Sequence, residues 1–263
     1  MTITAKDVMT LRQATGVGLM DAKKALEAND GNMEAATQWL RVQGLASAAK
    51  RADREAGDGA VAVVRQGNVA AIVELRCETD FVAKSEQFTA LVDDIAARVA
   101  AEGTDAVAAF QGDIETMLTT LKENISIGRV YRLEAGEGEV VDTYIHHQSG
   151  RGVNAVAVVL KGGSEEIAHD IAVHIAFAKP GYLNREDVPA DEVEAERQTV
   201  TEISLNEGKP EAALPKIIEG RLNGWFKERV LNEQAYVKDE KQSVAQFLGS
   251  ASITAFAQVV IGQ

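Results

Sequence analysis

The first 45 residues carry apolar side chains at helical spacing, in three short runs separated by glycine or asparagine. Thr4–Asp7 fits a capping box, in which two residues satisfy each other's free N–H groups at a helix start. Gly16 interrupts this first run, and a second helix is predicted at about Leu19–Ala28. Asn32 can cap a third helix. The pattern predicts a three-helix module over residues 1–45, which can bury only a small core.

The period of the apolar residues changes to two at Ala60, which is typical of β-strands. Residues 46–59 are small and charged without periodicity, and we predict a linker there whose start can continue the third helix. The next residues, Ala60–Val64 and Val69–Cys77, predict a β-hairpin. Further helices are predicted around Phe88–Val99, Ile114–Leu121 and Ser164–Ala178, and further strands at about Arg129–Glu134, Glu139–His146, Val153–Lys161 and Ile253–Val259.

Two of the predicted helices share a weak internal repeat. Asp94–Ala100 and Asp170–Ala176 agree in residue type at five of seven positions when Val and Ile are counted as alike. Each helix follows a predicted β-hairpin. We therefore predict a core of two similar sheet-plus-helix halves, the first over residues 60–138 and the second over 139–185 and 229–263.

Residues 186–228 predict a pair of antiparallel helices that projects from this core. Apolar residues recur at helical spacing through Val193–Ile203 and again through Ile218–Phe226, with the polar tip Asn206–Pro210 between them. Pro215 suits the first turn of the second helix. Such a helical hairpin commonly serves association, and the sequence leaves open whether it forms a homodimer. The predicted fold class is α+β.

Composition and charge restrict the partners and the compartment. The net charge of −13 argues against a nucleic-acid partner, because phosphate binding requires a clustered basic face. The N-terminal residues lack the basic-then-apolar pattern of a signal peptide. No apolar run approaches the roughly 18 residues of a membrane span. A single cysteine fits a reducing compartment. We therefore expect a cytoplasmic protein with no membrane contact.

The single cysteine offers one route to enzymatic chemistry, since a thiol beside a histidine can act as a nucleophile. Cys77 ends an apolar predicted strand and is followed closely by the acids Glu78 and Asp80. Negative neighbours raise the pKa of a thiol and reduce its reactivity. We therefore favour a buried structural cysteine over a catalytic one.

The four histidines form no recognisable metal or catalytic pattern. His146 and His147 stand at the end of a predicted strand, without the acid or cysteine pattern that would complete a metal site. His169 and His174 are five residues apart, whereas a spacing of four would align two ligands on one helix face. We therefore expect no metal, no cofactor and no covalent chemistry.

The connection that follows the first hairpin is longer than its counterpart in the second half. Arg76 lies 18 residues before Asp94, whereas Leu160 lies 10 residues before Asp170, so the first half carries eight extra residues (18 − 10). They include the segment Glu78–Lys84. Because one copy of the scaffold closes this connection without them, folding alone does not require them. The surplus favours a functional role.

The extra segment is also unusual in composition. The sequence CETDFVAK places Phe81 and Val82 at the tip of a predicted turn, with Asp80 and Lys84 beside them. A plain connection from strand to helix needs only a few polar residues. An aromatic ring at such a position predicts contact with another molecule.

Three stretches resemble the elongation factor Ts family. LRQATGVGLMDAKKALEANDGNMEAATQWLR (11–41) resembles the family's N-terminal module, and CETDFVAKSEQF (77–88) resembles its signature after the first core hairpin. HIAFAKPGYL (174–183) and EGKPEAALPKIIEGRL (207–222) resemble its later core and helical hairpin. The matches follow in order over nearly the whole chain, and TDFVAK beside TGVGLMDAKKAL is a specific combination.

The resemblance implies a guanine-nucleotide exchange factor that binds elongation factor Tu in its GDP form, disturbs its magnesium and nucleotide site and promotes GDP release. It implies that a first set of residues intrudes beside the partner's magnesium site: Thr79, Asp80, Phe81 and Val82. It implies that a second set, in a ubiquitin-associated-like N-terminal module, presses on a helix near the partner's base pocket: Arg12, Met20 and Lys23. The region around His146 is implied to hold another domain of the partner.

Two other functions are compatible with parts of the sequence. A ubiquitin-associated-like module fused to an adaptor core could bind a partner without nucleotide exchange, but this interpretation leaves the eight extra residues unexplained. A thiol hydrolase would need Cys77 exposed and with a low pKa. Acceleration of GDP release separates the exchange factor from the adaptor, and the environment of Cys77 separates both from the hydrolase.

Overall fold

The computed structural model describes residues 3–263 and confirms the α+β fold class. The chain begins with three helices, α1 (Ala5–Thr15), α2 (Leu19–Ala28) and α3 (Met33–Ala49). The capping box at Thr4 is present, and the Asn32 side chain accepts a hydrogen bond from the backbone of α3. Gly16 ends α1 with a left-handed φ of 70°, which a glycine adopts without steric cost.

The N-terminal helices surround a small core of their own. Leu11, Ala22, Ala25, Leu26 and Ala36 are at most 2% exposed. Most of these side chains are alanines, so the three helices pack closely but bury little apolar surface. Helix α3 continues to Ala49, into the first residues of the predicted linker.

The first half of the core is a three-stranded antiparallel sheet with helices on one side. Its elements in chain order are β1 (Asp58–Gln66), β2 (Val69–Cys77), the short α4 (Asp80–Ala83), α5 (Glu86–Glu102), a 3₁₀ segment (Thr104–Phe110), α6 (Gln111–Leu121) and β3 (Ser126–Glu134). The strand order is β1-β2-β3. The predicted hairpin is confirmed: β2 has its predicted bounds, and β1 is longer than predicted because backbone pairing continues through polar residues.

The second half repeats this topology. It consists of β4 (Glu139–Gln148), β5 (Arg151–Lys161), α7 (Glu165–Ala178) and a last strand at residues 252–260, which pairs with β5 to give the same hairpin-plus-third-strand order. The two copies differ where the strand leads into the helix. Eight residues (78–85) connect β2 to α5, but only three (162–164) connect β5 to α7. Part of the predicted surplus of eight residues therefore lengthens the connection between strand and helix. The rest lies in α5 itself, which begins further ahead of the repeat than α7 does.

Two antiparallel helices interrupt the second half. They are α8 (Ala190–Asn206) and α9 (Leu214–Arg229), which pack along each other, and Pro215 lies in the first turn of α9. A small hairpin and a short helix follow that the hydrophobic pattern did not predict. These are β6 (Ala235–Tyr236), β7 (Asp239–Ser243) and α10 (Val244–Leu248), ahead of the last strand β8 (Ser252–Val260).

The core has four layers, in the order helix, sheet, sheet, helix. Side chains alternate along each central strand, so that Val73 on β2 packs against α5 while Ile72 faces the second sheet. On β5, Val158 packs against α7 while Ala157 faces the first sheet. Small side chains are frequent between the sheets, which allows close approach. At Gly152 a Cβ atom would lie 2.1 Å from the carbonyl oxygen of Val61.

Within residues 3–263, no helix is both long enough and apolar enough to cross a membrane.

Candidate functional site

Phe81 is the most exposed of the large apolar side chains in the described chain, with 83% of its surface accessible. It lies on α4, a single helical turn, rather than at the tip of an irregular turn. Full exposure of a phenylalanine leaves an apolar area in water that burial would stabilise by about 1.5–3 kcal/mol. The ring is therefore available to another molecule.

The rest of α4 is held to the body of the protein. Ala83 is fully buried, and Val82 packs against the core of the first half. The expectation that Val82 shares the exposed tip with Phe81 is therefore wrong in geometry, because one helical turn directs the two adjacent side chains to different sides. Thr79 caps the turn, since its hydroxyl accepts a hydrogen bond of 3.4 Å from the backbone N–H of Val82.

A residue distant in sequence holds the start of this turn. The carboxylate of Glu123 accepts hydrogen bonds from the backbone N–H groups of Glu78 and Thr79, both at 3.0 Å, and from the Thr79 hydroxyl at 2.5 Å. In return, the Glu78 carboxylate accepts from the backbone N–H of Asn124 at 2.7 Å. Glu123 is 44 positions from Thr79 in sequence, and no local sequence pattern marks the pair.

Two charged side chains flank Phe81. Asp80 and Lys84 form an ion pair one helical turn apart, and this hydrogen bond is the main reason why the pKa of Asp80 is lowered. The guanidinium of Arg151 also contributes to the lower pKa. Arg151 starts β5 and donates to Asp58 at the start of β1, which pairs with the end of β2, so the turn between β4 and β5 lies at the end of the first sheet where the Phe81 segment begins.

His146 is located near that turn, at the exposed end of β4. A β-bulge between His146 and His147 shifts the pairing register, and Ser149 and Gly150 complete the turn with left-handed φ values of 54° and 82°. Arg151 donates hydrogen bonds to the Asp58 carboxylate and to the carbonyl of Gly59, which fixes the turn to the first sheet. The predicted contact at His146 and the Phe81 segment are thus both accessible.

The three candidate residues of the N-terminal module are also exposed. Arg12 lies on α1, and Met20 and Lys23 lie on α2. Met20 is 70% exposed although it is apolar, whereas Val17, in the loop before α2, is buried in the module's own core. Lys23 forms a surface pair with Glu27 at 3.6 Å. Val17 in the loop therefore packs inside the module, whereas Met20 in the first turn of α2 is exposed to solvent.

Cys77 does not have the properties of a catalytic thiol. It is fully buried, and burial, reinforced by the charges of Glu123 and Asp58, raises its pKa to about 12. Its Sγ donates to the carbonyl oxygen of Thr79 at 3.2 Å. A neutral, enclosed thiol of this kind is unreactive.

The two histidines of α7 have different surroundings. His174 is buried and hydrogen-bonded to Gln234, while His169 pairs with Asp142 on the surface. Across the part of the chain that the structure describes, no group of three or more His, Cys, Asp or Glu side chains is arranged to hold a metal ion. Around Phe81, the structure combines an exposed aromatic ring with a backbone that is anchored to the protein.

Comparison with known proteins gives the same family over nearly the whole chain. A sequence model of the family described as Elongation factor TS matches residues 78–263. The chain is 48% identical over 273 residues to Elongation factor Ts of Clavibacter michiganensis subsp. michiganensis, and the match covers 98% of both proteins. It is 45% identical over 276 residues to Elongation factor Ts of Renibacterium salmoninarum, again covering 98% of both.

Proposed function

Since this chain belongs to the elongation factor Ts family, and therefore acts in translation elongation, we propose that it is the guanine-nucleotide exchange factor of elongation factor Tu. It binds the partner in its GDP form, promotes release of GDP, and leaves a partner that can take up GTP. The observation that carries the proposal is the 83% exposure of Phe81 on a turn whose neighbouring side chains are anchored. We infer that this activity takes place in the cytoplasm, and the role of the bacterial relatives in translation elongation supports that inference.

Insertion of Phe81 is the central step of the proposed mechanism. Protein interiors are close-packed, so a ring that enters between two elements of the partner must displace one of them. If the displaced element lies beside the partner's magnesium site, the partner would hold the magnesium ion less firmly. The charge of that ion neutralises the GDP phosphates, so its loss would weaken GDP binding. Thr79, Asp80 and Val82 support this step: Thr79 and Val82 fix the backbone, and Asp80 adds a carboxylate next to the ring.

Energetic arguments indicate that Phe81 does not act alone. Burial of one phenylalanine contributes about 1.5–3 kcal/mol. A ten-thousandfold faster release requires about 5.5 kcal/mol, at about 1.4 kcal/mol for each factor of ten. We assign the remainder to the N-terminal module, where Arg12, Met20 and Lys23 are exposed, and to the region around His146, which would hold a second domain of the partner.

Exchange also requires a preference between states of the partner. A factor that bound the GDP-loaded and empty forms equally well would shift neither population, however tightly it bound. The proposed insertion provides that preference, because the ring fits only after the magnesium site has opened. No bond is made or broken by this chain, and the buried thiol of Cys77 takes no part.

The proposal is tested by GDP release from elongation factor Tu preloaded with a fluorescent GDP. Addition of this protein with excess unlabelled GDP should accelerate the loss of fluorescence strongly. Removal of magnesium with a chelator should also accelerate release and should reduce the further effect of the protein, because both act on the same ion. An adaptor would form the complex without acceleration, and that result would overturn the proposal.

A further inference from the structure

We propose that Glu123 is a positioning residue that sets the direction of Phe81, and that the loop 122–124 connects the Phe81 segment to the linker after the N-terminal module. The inference rests on the proposed exchange function, since it concerns how the inserted ring is held. It assigns a role in exchange to a residue outside the predicted contact set, which acts on Phe81 through Thr79.

The geometry of Glu123 is specific for the start of α4. Its Oε2 atom accepts hydrogen bonds from the backbone N–H groups of Glu78 and Thr79, each at 3.0 Å. Its Oε1 atom accepts a hydrogen bond from the Thr79 hydroxyl at 2.5 Å. These donors lie in the two residues that precede α4. Three hydrogen bonds to one carboxylate therefore determine where the four-residue turn begins and how it is oriented.

Phe81 depends on this backbone contact because its own side chain is free. With 83% of its surface exposed, the ring has little packing against the protein to hold it. Its position follows from the backbone of α4, which is held at one end by Glu123 and beneath by the packing of Val82 and Ala83. Loss of the Glu123 contact would allow the turn to fray, because a single helical turn is not stable alone.

The same loop also holds the linker. The backbone N–H of Asn124 donates to the Glu78 carboxylate at 2.7 Å. The Asn124 side-chain amide donates to the carbonyl oxygens of Ala52 and Arg54, at 3.1 and 2.8 Å. The loop thus lies between the Phe81 segment and the chain that leads from α3, and it touches both.

Other polar contacts near this position are weaker candidates for the same task. Lys122 pairs with Asp21 of the N-terminal module at 2.8 Å, but both side chains are about half exposed, and solvent-exposed pairs contribute little. The Asp80–Lys84 pair is also exposed and lies within the turn itself, so it cannot fix the turn to the body. The bonds to Glu123 are partly buried and involve a charged acceptor, which strengthens them.

The test is a double-mutant cycle in the exchange assay. GDP release from elongation factor Tu is measured with the wild-type protein, Glu123→Ala, Phe81→Ala and the double variant. Glu123→Ala should slow the stimulated release by about ten- to a hundredfold, the range expected for hydrogen bonds to a charged group. In the Phe81→Ala background the same substitution should have almost no further effect, because no ring remains to be positioned.

Two further variants separate positioning from loss of folding. Glu123→Gln keeps an acceptor for the two backbone N–H groups and should retain more activity than Glu123→Ala. Glu102→Ala removes an exposed carboxylate that pairs with Arg98 on α5, and it should leave exchange unchanged. Urea unfolding of each variant identifies any that fail to fold, and Glu123→Gln then serves as the informative variant.

The outcomes are distinct. Equal loss from Glu123→Ala with and without Phe81 would show that Glu123 acts through the fold as a whole and would overturn the inference. Wild-type rates with Glu123→Ala would overturn it as well, and both results leave the proposed function intact. Failure of the wild-type protein to accelerate release would instead reject the proposed function and this inference with it.

Discussion

Glu74 on β2 and Arg129 on the neighbouring strand β3 form an ion pair within the first sheet, where Glu74 is only 2% exposed. The Glu74 carboxylate accepts from Nε and Nη2 of Arg129, at 2.9 and 2.8 Å, and from its backbone N–H at 3.0 Å. Arg129 also donates to the carbonyl of Val260 on the second sheet. The pair therefore links the two halves of the core through a buried charge, which is costly to leave unpaired.

Acid should destabilise the protein through Glu74. Burial alone would raise its pKa, but the hydrogen bonds from Arg129 and Arg76 outweigh it and lower the pKa from 4.5 to about 2. Because the pKa of Glu74 is lower in the folded protein, its ionised form stabilises the fold. This stabilisation is complete above the unfolded-state pKa near 4.5 and is lost as the pH falls toward 2. The loss in the free energy of unfolding is about 3 kcal/mol. Urea unfolding between pH 6 and pH 2 measures this loss.

The substitution Glu74→Gln should lower stability at neutral pH and should also remove this part of the acid dependence. Glu102→Gln, at an exposed acid, should leave the acid dependence close to that of the wild type. An unchanged pH profile in Glu74→Gln would show that other carboxylates cause the loss.

Gly152→Ala should destabilise the core. The added Cβ would lie 2.1 Å from the carbonyl oxygen of Val61 and 2.6 Å from Cδ1 of Ile145, so the two sheets would have to separate. Overpacking of this kind costs about 1–3 kcal/mol. Gly112→Ala is a suitable control, because nothing lies within 4 Å of its added Cβ, on helix α6. The midpoint of thermal unfolding should therefore be lower for Gly152→Ala than for the wild type. For Gly112→Ala it should be unchanged or higher.

Phe81→Ala should reduce exchange without loss of stability. The ring is 83% exposed, so its removal leaves no cavity in this protein, but the partner loses the inserted side chain. We expect a loss of at least about tenfold in stimulated GDP release, from the 1.5–3 kcal/mol that burial of the ring provides. Phe177→Ala is the matched control, since Phe177 is 76% exposed on α7 and lies outside the segment. Equal losses in both variants would contradict a specific role.

Met20→Ala should add to the effect of Phe81→Ala. Met20 is 70% exposed on α2, and the two residues belong to separate contact regions on separate elements. Effects at independent sites add in free energy, so the fold losses in exchange should multiply. Val42→Ala, which removes a 53% exposed apolar side chain from α3, tests whether any exposed apolar residue of the module has this effect. A double variant no worse than Phe81→Ala would show that the module does not contribute separately.

His174 should make stability depend on pH below neutrality. Its Nε2 atom lies 3.0 Å from Oε1 of Gln234, and its Nδ1 atom accepts from the backbone N–H of Val237 at 3.2 Å, so the buried ring is held neutral. Burial lowers its pKa below the usual 6.5, although the Gln234 contact opposes the shift. The unfolded chain therefore binds a proton that the folded chain excludes, and stability decreases as the pH falls below about 6.5.

Replacement of this side chain by Gln should remove that slope. Urea unfolding at several pH values between 7.5 and 5.5 compares the wild type with His174→Gln. His169→Gln, which alters an exposed histidine on the same helix, is the control. A slope that persists in His174→Gln would assign it to another group.

Much of the architecture could be predicted from residue spacing. The capping box at Thr4, the first β-hairpin and the helix after Ser164 each rest on contacts between neighbours in sequence, and all three are confirmed. The repeat between the two helices also pointed to matching halves. Local patterns were sufficient wherever local contacts decide the structure.

The remaining features depend on contacts distant in sequence. The β6, β7 and α10 elements have at most five residues each, too few for a periodic pattern, and they are held in part by the packing of Tyr236 on Phe247 and by the hydrogen bond from Tyr236 to Asp170. Val82 turns inward because the core of the first half is beneath it. Glu123 becomes recognisable only when folding brings it to Thr79. The spacing of residues along the chain does not indicate which distant residues will form such contacts.

The matching topology of the two halves has a consequence for protein engineering. Helices α5 and α7 cover opposite outer layers of the core, and each follows the central strand of its sheet. The first half already accommodates eight residues between strand and helix, whereas the second has only three, at residues 162–164. A peptide grafted into that shorter connection would be displayed on the opposite layer, so one chain could present two different binding loops on a single scaffold.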